Sequence, residues 1–123
     1  MMIASPPPSK LTGSFAGWGI PTTHPAELDL MLRRNEDIVV VDVRETEDYE
    51  RGHVPGALNV PPNQWHNSER LCEDALNIVY GYSQRCQLAA RAGRTFAGKG
   101  YQVIEMAGGF EAWKSNNFEI AAP

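Results

Sequence analysis

The chain has 123 residues, 42% of them apolar and 21% charged, and a formal net charge of −4. That length and composition suit one ordinary globular domain. The acidic balance argues against a general nucleic-acid or anionic-membrane role, and no apolar run approaches the roughly 20 residues a membrane span needs.

In chain order, residues 1–19 read as a leader or arm, with three successive prolines followed by Gly13, Gly17 and Gly19. Phe15 and Trp18 are its candidate docking groups. It has no basic n-region and no long apolar h-region, so it is not a secretory signal, and a cytoplasmic, reducing setting is expected. Residues 20–123 read as a single domain. "THPAELDLMLRR" predicts a helix over Pro25–Arg34, with proline in its first turn and Leu28, Met31 and Leu32 as an apolar stripe. "IVVVDV", Ile38–Val43, is a continuous β-branched run of the kind covered on both faces of a parallel sheet. "ETEDYERG" predicts a short helix with Thr46 as N-cap and Gly52 as its stop. A short strand is expected near Ala57–Asn59, and "PPNQWHNSERLCEDA" suggests one or two short helices.

"NIVYG" predicts a second buried strand. Residues 85–98 then form the clearest helix, with Leu88, Ala89, Ala92 and Phe96 on one face and Arg91 and Arg94 on the other. "YQVIEM" predicts a further strand, and "AGGFEAWKSNN" a turn and a last short helix. Strands alternating with helices imply an α/β fold with a parallel sheet.

In such a sheet, ligands bind beyond the carboxyl ends of the strands. The most informative stretch there is "NIVYGYSQRCQLAA". Gly81, Tyr82, Ser83, Gln84, Arg85 and Cys86 form a loop whose N–H groups, with the positive end of the next helix, suit a small anion. Residues 75–104 hold Arg85, Arg91, Arg94 and Lys99 and no acidic residue. That positive field is either a solvated helix face or an attraction for a small anion. Cys86 is either a small residue packed inward beneath the loop or a thiol activated at a helix start beside Arg85. Asp42 and Arg44 end a buried strand and read as structural support, with Asp42 accepting from the neighbouring loop and from His53. Gly108 and Gly109 read as a tight turn. Cys72 and Cys86 make no disulfide framework, and no Cys or His cluster has metal-ligand spacing, so neither metal nor cofactor is expected.

Taken together, "VVDVRETEDYERGHVPGALNVP", "NIVYGYSQRCQLAA" and "KGYQVIEMAGGFEAW" resemble the rhodanese-like domain family, from Ile20 to the C-terminus. The resemblance implies a five-stranded, mainly parallel sheet flanked by helices on both faces. It also implies a loop whose first residue is a cysteine that takes sulfur from thiosulfate or another donor as a persulfide. This chain has Gly81 at that position and a loop one residue shorter than the usual Cys-x-x-Gly-x-Arg-Ser. Glycine forms no persulfide. Three readings follow: a binding or regulatory module with an anion loop, a sulfurtransferase using Cys86, or an active family seen with a Cys-to-Gly change at position 81. The expected partners are a small sulfur-containing anion or persulfide donor and a protein, with no nucleic acid and no membrane. The related dual-specificity phosphatases need a cysteine followed by five residues and an arginine, and neither Cys72 nor Cys86 has that spacing.

Overall fold

A computed structural model describes residues 20–67 and 69–122. The leader expected over 1–19 lies outside the described residues.

Five strands, β1 (Thr22–Thr23), β2 (Ile38–Asp42), β3 (Leu58–Asn59), β4 (Leu76–Tyr80) and β5 (Gln102–Met106), form one sheet in the order β1-β5-β4-β2-β3. Every pairing is parallel. The central pair sets the register, running from Ile38 opposite Leu76 to Asp42 opposite Tyr80. Side chains alternate across the pleat. Val40, Ile78, Tyr80, Ile104 and Met106 therefore face one core, while Val41, Val79 and Val103 face another.

Helices α1 (Pro25–Arg33), α2 (Thr46–Arg51) and α4 (Gly109–Ser115) supply the first core through Leu28, Tyr49, Phe110 and Trp113. Helix α3 (Leu88–Gly98) covers the opposite face with Ala89, Ala92 and Phe96, beside Trp65 of a 3-10 turn, Pro62–Asn67. Helices thus cover both faces, and this is why Ile38–Val41 in β2 and Ile78–Tyr80 in β4 read as apolar runs without alternation. Ile20 packs into the notch left by Gly93 on α3.

Several local expectations change. Thr46 does not cap α2; Glu45 is the N-cap, without a side-chain bond, and Thr46 Oγ1 donates to Asn59 Oδ1 at 2.8 Å. Helix α1 ends at Arg33, and Asn35 at φ +54° takes the chain out of it. The expectation of one or two short helices after Val60 is met by one, the 3-10 helix Pro62–Asn67, with Trp65 Nε1 donating to the Val60 carbonyl at 3.0 Å. Helix α3 begins at Leu88, so Arg85 and Cys86 lie in the preceding turn, where the Cys86 N–H donates to the Ser83 carbonyl at 3.1 Å.

The chain leaves β2 toward β3 and leaves β4 toward β5, in opposite directions, and these two strands are neighbours. The loops after them lead to opposite faces, α2 on one and α3 on the other. A crevice opens at such a switch point, at the carboxyl ends of the strands.

Candidate functional site

Three segments meet at that crevice: residues 43–45 after β2, residues 81–87 after β4, and residues 107–108 after β5. The floor is a buried polar network. Asp42 is fully buried, and its carboxylate accepts from the Arg44 N–H at 2.9 Å and from Arg44 Nε and Nη2 at 3.1 and 2.8 Å. It also accepts from the Tyr80 hydroxyl at 2.6 Å. Arg44 Nη2 reaches the Gly52 carbonyl at 2.6 Å, and the Tyr80 oxygen accepts from the Val54 N–H at 3.1 Å. Burial works against the Arg44 charge, yet the bond and charge of Asp42 outweigh it and hold its pKa above the ordinary value. Burial, reinforced by Asp42, makes the Tyr80 phenol keep its proton far more firmly than a free tyrosine. Asn59 Nδ2 donates to the carbonyls of Asp42 and Arg44 at 3.1 and 3.0 Å, fixing the end of β2.

His53 is not part of this network. Its Nδ1 is bonded to the Tyr49 carbonyl at 2.8 Å, and its ring stacks on Tyr49 with centroids 3.8 Å apart. Its backbone pairs with Ala121. Asp42 is satisfied by Arg44 and Tyr80 instead. The partner that sequence reasoning missed is Tyr80, whose register opposite Asp42 is set only once the strands pair.

The loop after β4 is held chiefly from α4. The Gly81 and Tyr82 carbonyls accept from the Phe110 and Glu111 N–H groups at 2.9 and 3.0 Å. Gly108 and Gly109 both have positive φ, +82° and +63°. Their role is more than a turn: a Cβ on Gly109 would lie 2.6 Å from Ser83 N and 2.8 Å from the Gly81 carbonyl oxygen. Only glycine lets α4 approach the loop so closely. The variant Gly109→Ala is expected to displace the loop and to cost about 1 kcal/mol from its φ alone, with the clash added. Thermal unfolding and the backbone amide shifts of Gly81–Ser83 report both effects.

Gly81 is buried, and a Cβ built there meets only ordinary contacts: Ala89 N at 3.4 Å, Ala89 Cβ at 3.6 Å and Leu88 Cβ at 3.7 Å. A side chain at position 81 would thus face the first turn of α3. Cys86 bears on the same turn. Its half-buried sulfur accepts from the Leu88 N–H at 3.4 Å. Among the described residues no acceptor meets the N–H of Gln84, Arg85, Ala89 or Ala90. Arg85, Arg91 and Arg94 are exposed, whereas Lys99 is engaged at the 3-10 turn, donating to the Trp65 and His66 carbonyls. Burial raises the Glu105 carboxyl above its usual range and the Arg94 charge offsets part of that, so the far end of the basic face feels one acidic neighbour.

Comparison with known proteins agrees with this architecture. The family model for the rhodanese-like domain matches residues 24–116. A thiosulfate sulfurtransferase, GlpE of Pseudomonas putida, is 32% identical over 93 residues, covering 74% of this chain and 83% of its own. An HTH-type transcriptional regulator of Mycobacterium tuberculosis is 34% identical over 89 residues, 68% of this chain and 38% of that protein. YibN of Escherichia coli is 32% identical over 94 residues, and the chain spans 64% of it. A Bacillus halodurans protein superposes with a TM-score of 0.77 at 34% identity, covering 82% of this chain and 76% of that one. The Anabaena rhodanese-like domain does so with a TM-score of 0.73 at 24% identity, a likeness of fold. The family match takes in β2 to β5, α1 to α4 and the whole loop after β4, so the chain belongs to the rhodanese-like domain family.

Proposed function

We propose that this domain binds a small sulfur-containing oxyanion in the loop 81–86 without forming a persulfide at position 81, and that it works as a binding or regulatory module. The observation that carries the reading is Gly81: it directly follows β4, is buried, and would present any side chain to the start of α3. Covalent sulfur transfer needs a nucleophile at the reacting centre, and glycine offers none. Unengaged N–H groups at the loop and at the start of α3, with Arg85 beside them, support retention of the anion. Thiosulfate is the natural probe, because a relative of matching length is a thiosulfate sulfurtransferase. A reducing, cytoplasmic setting belongs to the same proposal, and Cys72 and Cys86 are free thiols. So does a protein partner for the regulatory role; nucleic acid and membrane stand outside it. Among the described residues no helix is long and apolar enough to cross a membrane.

One observation favours a second reading, a sulfurtransferase using Cys86. Its sulfur is not sealed beneath the loop but bonded at the first N–H of α3, the turn that position 81 also faces. One experiment separates the two. The protein is incubated with thiosulfate, assayed for thiocyanate formation from cyanide, and weighed by mass spectrometry. The expected result is saturable thiosulfate binding with no turnover and no adduct. An adduct of one sulfur atom that disappears in Cys86→Ser, accompanied by turnover, establishes the second reading and ends the first.

A further inference from the structure

The backbone bonds from α4 hold the first two loop carbonyls, but one side chain also ties the loop to the opposite side of the crevice. Tyr82 reaches from the loop after β4 to the start of α2. Its hydroxyl donates to Asp48 Oδ2 at 2.6 Å and accepts from the Glu45 N–H at 3.2 Å. The other Asp48 oxygen lies 3.4 Å from Arg51 Nη1. The Tyr82 ring sits 5.7 Å from the Arg44 guanidinium, which itself lies 4.2 Å over the Phe110 ring. Burial, and then the bond to Asp48, make the Tyr82 phenol hold its proton above the ordinary tyrosine range.

Two features separate this contact from ordinary packing. Tyr82 belongs to neither hydrophobic core, so the sheet and its helices do not need its ring. Its bond also crosses the switch-point crevice, joining the loop after β4 to the segment that follows β2, 34 residues away in the chain. A hydrogen bond to a charged acceptor is among the stronger ones available at a partly exposed site. The carboxylate it engages is bonded directly to a residue of the loop read as an anion site. With Tyr82 on one oxygen and Arg51 near the other, that charge is occupied rather than directed at the incoming anion.

We propose that Tyr82 is a positioning residue: with Asp48 it forms a latch across the crevice that fixes the loop 81–86 and sets its affinity for small sulfur oxyanions. This rests on the anion-loop reading above. The latch acts by keeping the loop in one arrangement before the ligand arrives, so that ordering it is not charged against binding.

The test is calorimetric titration of the full chain with sodium thiosulfate, for the wild type, Tyr82→Phe, Asp48→Ala and the double variant. Each single variant is expected to weaken binding by roughly 5- to 20-fold, with the thermal midpoint shifted by a few degrees at most. The double variant is expected to lose no more than Tyr82→Phe alone, because each single variant already removes the Tyr82–Asp48 bond. Unchanged affinity in either single variant, or fully additive losses, overturns the latch. A wild type that binds no thiosulfate overturns the anion reading instead. The latch is then judged by hydrogen exchange at the Phe110 and Glu111 amides, which donate to the loop carbonyls. Exchange there at least about 10-fold faster in Tyr82→Phe, with β4 amides unaltered, upholds it, and equal rates reject it.

Discussion

The variant Gly81→Cys is expected to gain thiosulfate:cyanide sulfurtransferase activity. The gain should be at least about 10²-fold over the wild type, a modest part of the roughly 10⁶-fold that removal of a nucleophile costs in an evolved enzyme. The backbone accepts the change, since the new Cβ would find its nearest neighbours at 3.4 to 3.7 Å and Gly81 has no left-handed φ. The thiol would face Leu88 and Ala89 at the start of α3, where the helix favours a thiolate and activates it. The thiolate would attack the outer sulfur of thiosulfate, and sulfite would leave with the electron pair of the broken S–S bond. The persulfide would then pass its terminal sulfur to cyanide as thiocyanate and restore the thiolate. The gain should survive Cys86→Ser added to the same variant, which places the sulfur on the introduced thiol. No turnover in a folded Gly81→Cys protein would mean that the shorter loop, and not only the glycine, prevents the chemistry.

The fold was legible where local pattern and tertiary environment agree. Val40, Val41 and Ile78–Tyr80 are buried on both faces of the sheet, so their lack of alternation is itself the signature of central parallel strands. Strand β1 was not legible: it is two threonines whose pairing exists only because β5 lies beside them. The start of α3 was misplaced by three residues, because Arg85 and Cys86 fit a helical pattern while the Ser83–Cys86 turn and the Cys86 sulfur serve the helix from outside. The loop itself could be read from its strand–loop–helix order. Its supports could not, since Tyr80 and Tyr82 find their acidic partners 38 and 34 residues away. The same limit explains Lys99, which adds to a basic stretch in the sequence but is spent on the carbonyls of a turn. It also explains His53, whose motif position suggested Asp42 while its ring found Tyr49 four residues earlier.

The largest expected loss of stability is at Asp42. The carboxylate and the Arg44 guanidinium are both almost entirely shielded from water. Asp42→Ala would leave that guanidinium without its counter-charge and the Tyr80 hydroxyl without its acceptor, a change expected to cost about 3–5 kcal/mol. Asp42→Asn keeps an acceptor oxygen while losing the charge, and a smaller loss of about 1–3 kcal/mol is expected. Urea unfolding at neutral pH measures both. The two mechanisms, an uncompensated charge and a missing contact, diverge in the double variant Asp42→Ala/Arg44→Met. If the stranded guanidinium dominates, removing it should recover a large share of the loss, because a buried pair is worth little over apolar groups whereas half a pair is expensive. If the lost bonds from the Tyr80 hydroxyl and the Arg44 N–H dominate, the double variant should be no more stable than Asp42→Ala. The first outcome is favoured, since once Asp42 is gone the Gly52 carbonyl is the one hydrogen-bond acceptor the guanidinium keeps, and a neutral carbonyl at 2.6 Å with the Phe110 ring beneath does not replace a bidentate carboxylate. An Asp42→Ala protein within about 1 kcal/mol of the wild type would contradict both mechanisms and would place water in contact with the floor of the crevice.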